Sequence, residues 1–463
     1  MNSKFFCAAL LVGTACRAAA LPLPGTLDVG SWKIWSYNAT AHGVTGLYGV
    51  GGSPPERRVL GFHGAETTVD YPPLALYELG LVGQIYRAAK RGGFPDDVVL
   101  TGTLKGAAIT AEAGLVLMVF LVLRRNANVA AARLAAAAIW LNPATIYDAS
   151  VLGYLDPLFV LPAVAALVCA VLGWPGSAGA LIAAAVLTKA QAIVIVPAVA
   201  LAVWTSGARG RRMARVAIAA AGAGAMTLLV VAPIVAAGAW SNMIGALESL
   251  TRHDMLSANA CNLWWIVGYV MRAWYSRDLG IWTAFTMPTK ILQISRVIEL
   301  GYPNPRAIGA ALVVVAFAWA LWTGRRRRDL TLLAAVAAFL VHAYATLSAQ
   351  VHENHLFAAV PLLAIAAASR PGYRRLLILV SAIFALNLNL FYGISEGVGY
   401  GFPRTLTIVD ATVLLAFANC AALAWHARIL KTECSTAAEP RPEPAPGSRP
   451  GLAGHNRLSG SCT

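Results

Sequence analysis

Charged residues are scarce in this chain of 463 residues, and their scarcity excludes an ordinary soluble protein. Asp, Glu, Lys and Arg together make up 12% of the sequence, whereas 58% of it is hydrophobic. Soluble domains contain about 25% charged residues. The sequence therefore predicts a protein that crosses a membrane many times. Its net charge of +15 indicates basic cytoplasmic loops rather than a nucleic-acid partner.

Paired cysteines and metal-binding spacings are also missing. The seven cysteines are scattered and form no CxxC or Cys/His pattern, so they indicate neither a disulfide framework nor a metal site. The nearest approach to a metal motif is His352, Glu353 and His355. A zincin needs two histidines four residues apart, and these two are three apart. We expect no metal and no cofactor.

Apolar runs that suit transmembrane helices begin near residues 103, 134, 155, 178, 190, 214, 306, 330, 355, 376 and 406. Together with the N-terminal segment they predict about twelve spans. That first segment is either a spanning helix or a signal peptide, because small residues at Ala18 and Ala20 resemble a cleavage site. A Pro-, Gly- and Ser-rich C-terminal segment predicts a disordered tail. The predicted order is a first transmembrane or signal-like segment, an external loop, a transmembrane bundle, a second external loop, a second bundle and a cytoplasmic tail: 1–23, 24–102, 103–239, 240–304, 305–431 and 432–463.

Arginine predicts the orientation of the chain. Four short loops carry many arginines and a single acid, Asp329; the arginines are Arg124, Arg125, Arg133, Arg209, Arg211, Arg212, Arg215, Arg325, Arg326, Arg327, Arg328, Arg370, Arg374 and Arg375. Short basic loops are cytoplasmic. All four loops share one side only if residues 74–88 lie on the opposite surface as an amphipathic segment. Most carboxylates then lie outside, in the two external loops.

Several polar residues in or beside the apolar runs could carry chemistry. Asp28 follows the first run among Trp32, Trp35, Tyr37 and Tyr48, and it is either a capping acid in an interfacial aromatic belt or a carboxylate for sugar handling. Asp148 lies in a membrane-embedded turn, where it needs a partner. Asp156 precedes a proline, so it is either a helix cap or a functional acid. Further candidates are Lys189 and Gln191, which interrupt an apolar run, and Asn259 and Trp264 in the second external loop. Glu112 is expected to pair with Lys105.

Five short motifs occur together and in a fixed order. They are an Asp after the first span, "DYPPLALY" at Asp70 to Tyr77, "NP…D" ending at Asp148, "TKAQ" at Thr188 to Gln191, and "VHEN" at Val351 to Asn354. This combination resembles the GT-C superfamily of polytopic glycosyltransferases, and within it the enzymes that use dolichyl- or polyprenyl-phosphate sugars. Asn354 departs from the lysine of that pattern, and the chain contains no DxD. The resemblance implies an all-α, GT-C-like bundle whose external loops carry interfacial helices.

The resemblance also implies a reaction and roles for residues. A hexose, mannose or glucose, would move from a polyprenyl-phosphate donor to an acceptor hydroxyl of a glycan, lipid or protein, with inversion and outside a bacterial inner membrane. Asp28 would be the general base. Donor phosphate or sugar would contact Lys189, Gln191, His352, Glu353, His355 and Arg404, and the acceptor side would comprise Asp70, Tyr71, Asp148, Asp156, Asn259 and Trp264. The two prolines would present Asp70 and Tyr71 to this site while Leu74, Leu76 and Leu79 enter lipid. The alternative is a transporter or flippase for a lipid-linked saccharide.

Overall fold

The computed structural model describes residues 1–48, 58–60, 66–249, 253–279, 288–395, 401–406 and 409–436, which are mostly helical. The N-terminal half contains α1 (Ser3–Ala20), α2 (Leu27–His42), α3 (Val44–Tyr48), α4 (Pro73–Ala89), α5 (Val98–Asn126), α6 (Val129–Trp140), α7 (Pro143–Thr145), α8 (Asp156–Leu172), α9 (Pro175–Thr188), α10 (Val196–Thr205) and α11 (Arg212–Ala236). The C-terminal half contains α12 (Trp240–Ser249), α13 (Leu263–Trp274), α14 (Ile294–Glu299), α15 (Pro305–Gly324), α16 (Leu330–Leu347), α17 (Ala359–Ser369), α18 (Gly372–Tyr392) and α19 (Ala411–Thr436).

Short segments of other structure join these helices. A π-helical segment spans Ile146–Leu152, and 3-10 segments span Ala190–Ile195, Arg209–Arg211 and Glu353–Leu356. Two antiparallel strand pairs also occur: β1 (Arg58–Leu60) with β2 (Glu66–Thr68), and β3 (Thr405–Leu406) with β4 (Val409–Asp410). These pairs are too small to form a layer of their own.

The prediction of an all-α, multi-pass membrane protein is confirmed. Within the described residues, eight helices are long and apolar enough to cross a bilayer, and four further apolar helices have 10–17 residues. A straight span needs about 20 residues, so the predicted number of about twelve spans stays a prediction. Helix α19 continues to Thr436, five residues into the segment predicted to be a tail. Residues 437–463 lie outside the described part of the chain.

The centre of the bundle is formed by α16 and α17. Almost every side chain of both helices is buried, which suits helices that are apolar on all sides. By contrast, α11 and α15 are largely exposed apart from a few small and aliphatic residues. In a membrane their apolar outer faces would contact lipid, so they lie at the periphery of the bundle.

Two helices pack in backbone contact beside the centre. A Cβ atom on Gly179 of α9 would lie 1.8 Å from the Ala219 carbonyl oxygen of α11, and one on Gly222 of α11 would lie 2.1 Å from the Gly176 carbonyl oxygen. Glycine is the residue that permits such an approach between membrane helices. The contact fixes α9, which ends at Thr188 immediately before Lys189.

The helix after the two prolines differs from the prediction. It begins at Pro73, as expected for proline in a first turn, but Leu76 and Leu79 are fully buried in protein rather than inserted into lipid. Helix α4 packs on α2, and the Ser36 hydroxyl donates to the Leu79 carbonyl oxygen at 2.8 Å. The exposed apolar residues of α4 are Leu81 and Ile85. An amphipathic pattern shows which face is apolar, but not whether protein or lipid covers it.

The expected pairing of Glu112 with Lys105 is wrong. Glu112 accepts instead from the Arg17 guanidinium of α1, at 2.9 and 2.5 Å, while Lys105 donates to backbone carbonyl oxygens. Both sides of the ion pair are buried. Arginine forms the better bidentate partner for a carboxylate, so the stronger pair forms between helices rather than along one helix.

Candidate active site

One cavity brings together most of the residues singled out from the sequence. Its volume is about 570 Å³, and its lining includes eight of them: Asp28, Asp70, Tyr71, Lys189, Gln191, His352, Glu353 and His355. They come from four separate stretches of the chain. Small-molecule sites in proteins have volumes of about 300–1,000 Å³, so the cavity has the size of a ligand site.

Helix α2 supplies the acidic and aromatic wall. Asp28 is the second residue of the helix, and it is exposed towards the cavity. Trp32, one turn further on, is 1% exposed and meets the Tyr154 ring edge-on at 6.3 Å. Trp35 lies tilted against Tyr71 at 5.3 Å. Both indoles are covered by protein, which excludes the alternative of an interfacial aromatic belt for these two residues.

Asp156 lies behind the cavity lining and holds three side chains of a second wall in place. Its fully buried carboxylate accepts from Lys189 Nζ at 3.0 Å, from Gln191 Nε2 at 2.9 Å and from Asn354 Nδ2 at 2.9 Å. The N-cap position of α8 is Leu155, and the hydrogen bonds of the Asp156 carboxylate go to other segments, so the capping alternative is wrong. Lys189 faces this carboxylate rather than reaching for the membrane surface. The carboxylate therefore joins the "TKAQ" and "VHEN" segments.

Histidine and tyrosine rings line a further part of the cavity. His352 lies 5.7 Å from the ring of His253 and 5.6 Å from that of His355, which in turn stacks on Tyr344 at 5.7 Å. Burial disfavours the charged imidazolium and lowers the pKa of His352 to about 4, with the neighbouring His253 and Lys189 adding to the effect. At neutral pH, His352 is therefore a neutral hydrogen-bonding group.

Asp70 faces the same space from the bend before α4. Burial raises the pKa of its carboxyl group above the usual value, and the nearby Asp28 adds to this rise. His253 opposes the shift because its positive form would attract the carboxylate. Two carboxylates that share one cavity repel each other. Asp28 is the more exposed of the two, so it is the stronger candidate for the base.

Among the residues of the lining that sequence reasoning missed are three with rings: His253, Tyr154 and Tyr344. The Tyr154 hydroxyl donates to the Glu353 carboxylate, and Ala258 and Asn259 form backbone bridges to His352. These bridges bring His253 to the cavity across about one hundred residues. An isolated histidine in "TRHDM" has no spacing that could have indicated this placement.

Five predicted site residues lie outside the lining. Asp156 lies behind the lining and binds residues near it. Both carboxylate oxygens of Asp148 have no hydrogen-bond partner within the described residues. The Asn259 side chain donates to the Tyr392 hydroxyl at 3.3 Å, and the Trp264 indole donates to the Leu347 carbonyl oxygen at 2.8 Å. Arg404 donates to the Thr289 carbonyl oxygen and pairs with Asp410, so its charge is used in the loop before α19.

A metal-binding cluster is not found in the part of the chain that the structure describes. No group of three or more His, Cys, Asp or Glu side chains in those residues is arranged to hold an ion. The expectation that the protein uses no metal and no cofactor stays a prediction.

The helices and the cavity define a multi-pass membrane protein whose described part contains a large cavity lined by charged and aromatic side chains. No protein-family model and no curated protein sequence matches the chain. Among solved structures, the oligosaccharyltransferase AglB from Archaeoglobus fulgidus, in complex with an inhibitory peptide and a dolichol-phosphate, is 14% identical over 93% of this chain, with a TM-score of 0.41. ArnT from Cupriavidus metallidurans in the apo state is 14% identical over 94% of this chain, with a TM-score of 0.44.

These two matches cover different shares of the matched proteins. The chain spans about half of the oligosaccharyltransferase, 56%, and 76% of ArnT. TM-scores below 0.5 are too low to transfer a reaction or a substrate, so the functional argument depends on the cavity and its residues.

Proposed function

We propose that this protein is a membrane glycosyltransferase that moves a hexose, mannose or glucose, from a polyprenyl-phosphate donor to an acceptor hydroxyl. The observation that carries the proposal is the cavity itself. It combines an exposed carboxylate and partly exposed tyrosine rings with a lysine, an amide and imidazoles. Sugars are held by aromatic faces and polar groups, and phosphate is held by cations and N–H donors.

The carboxylate of Asp28 supplies the base that the reaction needs. The acceptor O–H gives its proton to Asp28 while its oxygen attacks the anomeric carbon. The bond between that carbon and the phosphate oxygen breaks, and the electron pair leaves with the polyprenyl phosphate. A single displacement of this kind inverts the anomeric configuration, because attack and departure occur on opposite faces of the sugar.

Donors on the opposite wall meet the charge that develops on the leaving phosphate. Preplaced hydrogen-bond donors and cations stabilise such charge more than mobile water does. Lys189 and Gln191 are held in place by Asp156, and the His352 and His355 rings complete the wall. The sequence contains no DxD motif, and this wall is the protein's substitute for a metal ion in the proposed mechanism.

The positions of the helix ends support an extracytoplasmic location for the proposed reaction. Helix α16 begins after Arg325–Arg328 and ends beside the cavity, whereas α17 begins after His355 and ends before Arg370. The cavity and the basic loops therefore lie at opposite ends of the same helices. Because short basic loops are cytoplasmic, we place the transfer on the extracytoplasmic side.

The proposal is tested by hexose transfer with purified protein. Radiolabelled mannose or glucose on synthetic polyprenyl phosphate is offered with a membrane lipid extract as acceptor, in the presence of EDTA. We expect transfer by the wild type and a loss of about 10²–10⁴-fold in Asp28→Asn, the range for removal of a general base. Asp96→Asn, which changes an acid outside the cavity lining, is the matched control and should keep full activity.

Other results of the transfer assay would support a different mechanism or a different function. Activity that disappears with EDTA would show that a metal ion takes part. Equal activity in Asp28→Asn would move the base to another acid, with Asp70 next. No transfer from either donor by folded protein would contradict the enzyme, and movement of a lipid-linked saccharide across liposomes would then be measured.

A further inference from the structure

A buried lysine near the first helix has no carboxylate partner among the described residues. Lys105 of α5 is 0% exposed, and its ammonium donates to the carbonyl oxygens of Ala20 at 3.2 Å, Leu23 at 2.7 Å and Val151 at 3.0 Å. The nearest acid along the same helix, Glu112, is occupied by Arg17. Burying a charge costs free energy unless the charge is well hydrogen-bonded. The three bonds offset that cost, and they join Lys105 to two other segments of the chain.

The three acceptors belong to chain segments that end at this point. Ala20 closes α1, Leu23 lies in the loop after it, and Val151 lies near the end of the π-helical segment. Terminal carbonyl groups have no partner within their own helix and carry partial negative charge. A single ammonium group satisfies acceptors from both segments and holds them together.

The loop held by Lys105 leads directly to the proposed base. Only four residues separate Leu23 from Asp28, and within them the Thr26 amide donates to the Leu152 carbonyl oxygen at 3.0 Å. The Gly25 amide donates to the Ser395 hydroxyl at 2.9 Å. The start of α2 is therefore fixed against the end of the π-helical segment, which Lys105 binds from the other side.

The space around this contact leaves no room for adjustment. Gly153 has φ +81°, and a Cβ atom there would lie 3.1 Å from Lys105 Cε and 3.0 Å from Val29 Cγ2. Gly25 has φ +88°, and a Cβ atom there would lie 2.6 Å from the Leu152 carbonyl oxygen and 2.7 Å from Val29 Cγ2. Val29 follows Asp28, so the lysine, the two glycines and the base share one tightly packed contact.

We infer that Lys105 is a positioning residue for Asp28, which it orders by clamping the loop 21–26 to the π-helical segment. Lys105 does not line the cavity and does not touch substrate. The inference rests on the proposed function for its kinetic consequence, but its structural consequence can be measured without activity. A displacement of about 1 Å at a reacting group lowers a rate by about 10²-fold, so the effect should appear in kcat.

The test compares Lys105→Met, Lys105→Gln and the double variant Arg17→Met/Glu112→Met. Met keeps the apolar stem without the ammonium, and Gln retains N–H donors. The double variant replaces the buried Arg17–Glu112 ion pair, which joins α1 to α5, by apolar residues, a change that is often neutral in stability. All variants are purified full-length, and kcat is calculated per folded, monodisperse protein.

We expect kcat to fall about 10- to 100-fold in Lys105→Met and less in Lys105→Gln, with the donor KM within about 2-fold of the wild type. The double variant should keep kcat within about 2-fold. Amide hydrogen exchange of residues 21–30 should be faster in Lys105→Met and unchanged in the double variant. If Lys105→Met does not fold, kcat and hydrogen exchange are both measured on Lys105→Gln.

Three results would overturn the inference. One is unchanged exchange in residues 21–30 of the lysine variants, and another is a kcat per folded molecule equal to that of the wild type. An equal loss of kcat in the double variant would show a general effect of α1 packing and would also overturn it. A wild type without transfer from any donor contradicts the proposed function alone, because the exchange measurement still tests the clamp.

Discussion

At the scale of single residues, Asp156 connects parts of the chain that are far apart in sequence. Lys189 and Gln191 come from the segment after α9, and Asn354 comes from the 3-10 segment before α17. Their three side chains share one buried acceptor. Hydrogen bonds to a buried charge are strong and hold their donors in place, so the carboxylate determines the shape of one cavity wall.

Asp156→Asn should lower both stability and transfer activity. Removing one partner of a buried ion pair leaves the other charge uncompensated and costs about 3–5 kcal/mol; since Lys189 borders the cavity, we expect a value at the lower end of this range. The double variant Asp156→Asn/Lys189→Met should regain much of the stability but no activity. Unfolding in detergent and hexose transfer are the two measurements. Recovery of both in the double variant would contradict a role for Lys189 in the reaction.

His352→Gln should change how stability depends on pH. The folded pKa of His352, about 4, lies below the ordinary value of 6.5, so the unfolded chain binds more protons between these values. The stabilising contribution of the neutral ring is complete above pH 6.5 and is lost as the pH falls towards 4. Melting temperatures across this range should therefore decline less in His352→Gln than in the wild type. His42→Gln, at an exposed helix end, should follow the wild type.

Much of the candidate site could be predicted from single residues, and the reason is chemical. Asp28, Lys189 and His352 are polar residues in or beside apolar runs, where burying a polar side chain costs free energy. Such residues indicate a functional site. Their partners could not be predicted in the same way. Glu112 has a lysine on its own helix, yet its ion pair is formed with Arg17, ninety-five residues away. Such pairings depend on how helices pack, which local spacing does not contain.

At the scale of helices, the contact between α9 and α11 offers a matched pair of glycines. Gly222→Ala would place its Cβ 2.1 Å from the Gly176 carbonyl oxygen, whereas Gly224→Ala on the same helix meets nothing within 4 Å. We expect Gly222→Ala to destabilise the protein by at least about 1–3 kcal/mol, the cost of overpacking. Gly224→Ala should be neutral or slightly stabilising. Thermal unfolding of both variants measures the difference, and similar melting temperatures would contradict the close packing.

Helix α1 should remain in the mature protein. The sequence left open whether it is a span or a cleaved signal peptide. Cleavage after Ala20 would remove Arg17 and leave Glu112 as a buried, unpaired carboxylate, which is strongly destabilising. The intact mass of protein purified from membranes should therefore include α1. A purified, folded and active form beginning at Leu21 would contradict this prediction.

The helices themselves were easier to predict than their surroundings. Hydropathy indicated the apolar runs correctly because membrane helices must satisfy their own backbone hydrogen bonds. It could not indicate that Leu76 and Leu79 of α4 are buried against α2, since an apolar face looks the same whether lipid or protein covers it. The π-helical segment that precedes Tyr154 was also not predicted, because its backbone depends on contacts with α1 and α5.

At the scale of the whole molecule, charge and chemistry are separated along the helix axes. The arginine-rich ends of α16 and α17 are remote from the ends that border the cavity. A donor with its lipid tail in the bilayer can reach a cavity at a helix end without leaving the membrane. Because short basic loops are cytoplasmic, this separation predicts that the arginine-rich ends face the cytoplasm and that the cavity faces the other side.

Labelling with a membrane-impermeant maleimide tests that orientation. In a variant without native cysteines, Gly93→Cys lies in the exposed loop between α4 and α5, and Arg326→Cys lies in an exposed basic loop. We expect Gly93→Cys to react in intact cells or right-side-out vesicles, and Arg326→Cys to react only after permeabilisation, because positive loops stay in the cytoplasm. The reverse pattern would place the cavity in the cytoplasm. The acceptor would then have to be cytoplasmic as well. The proposal that transfer occurs on the extracytoplasmic side would be wrong, even if Asp28 were the base.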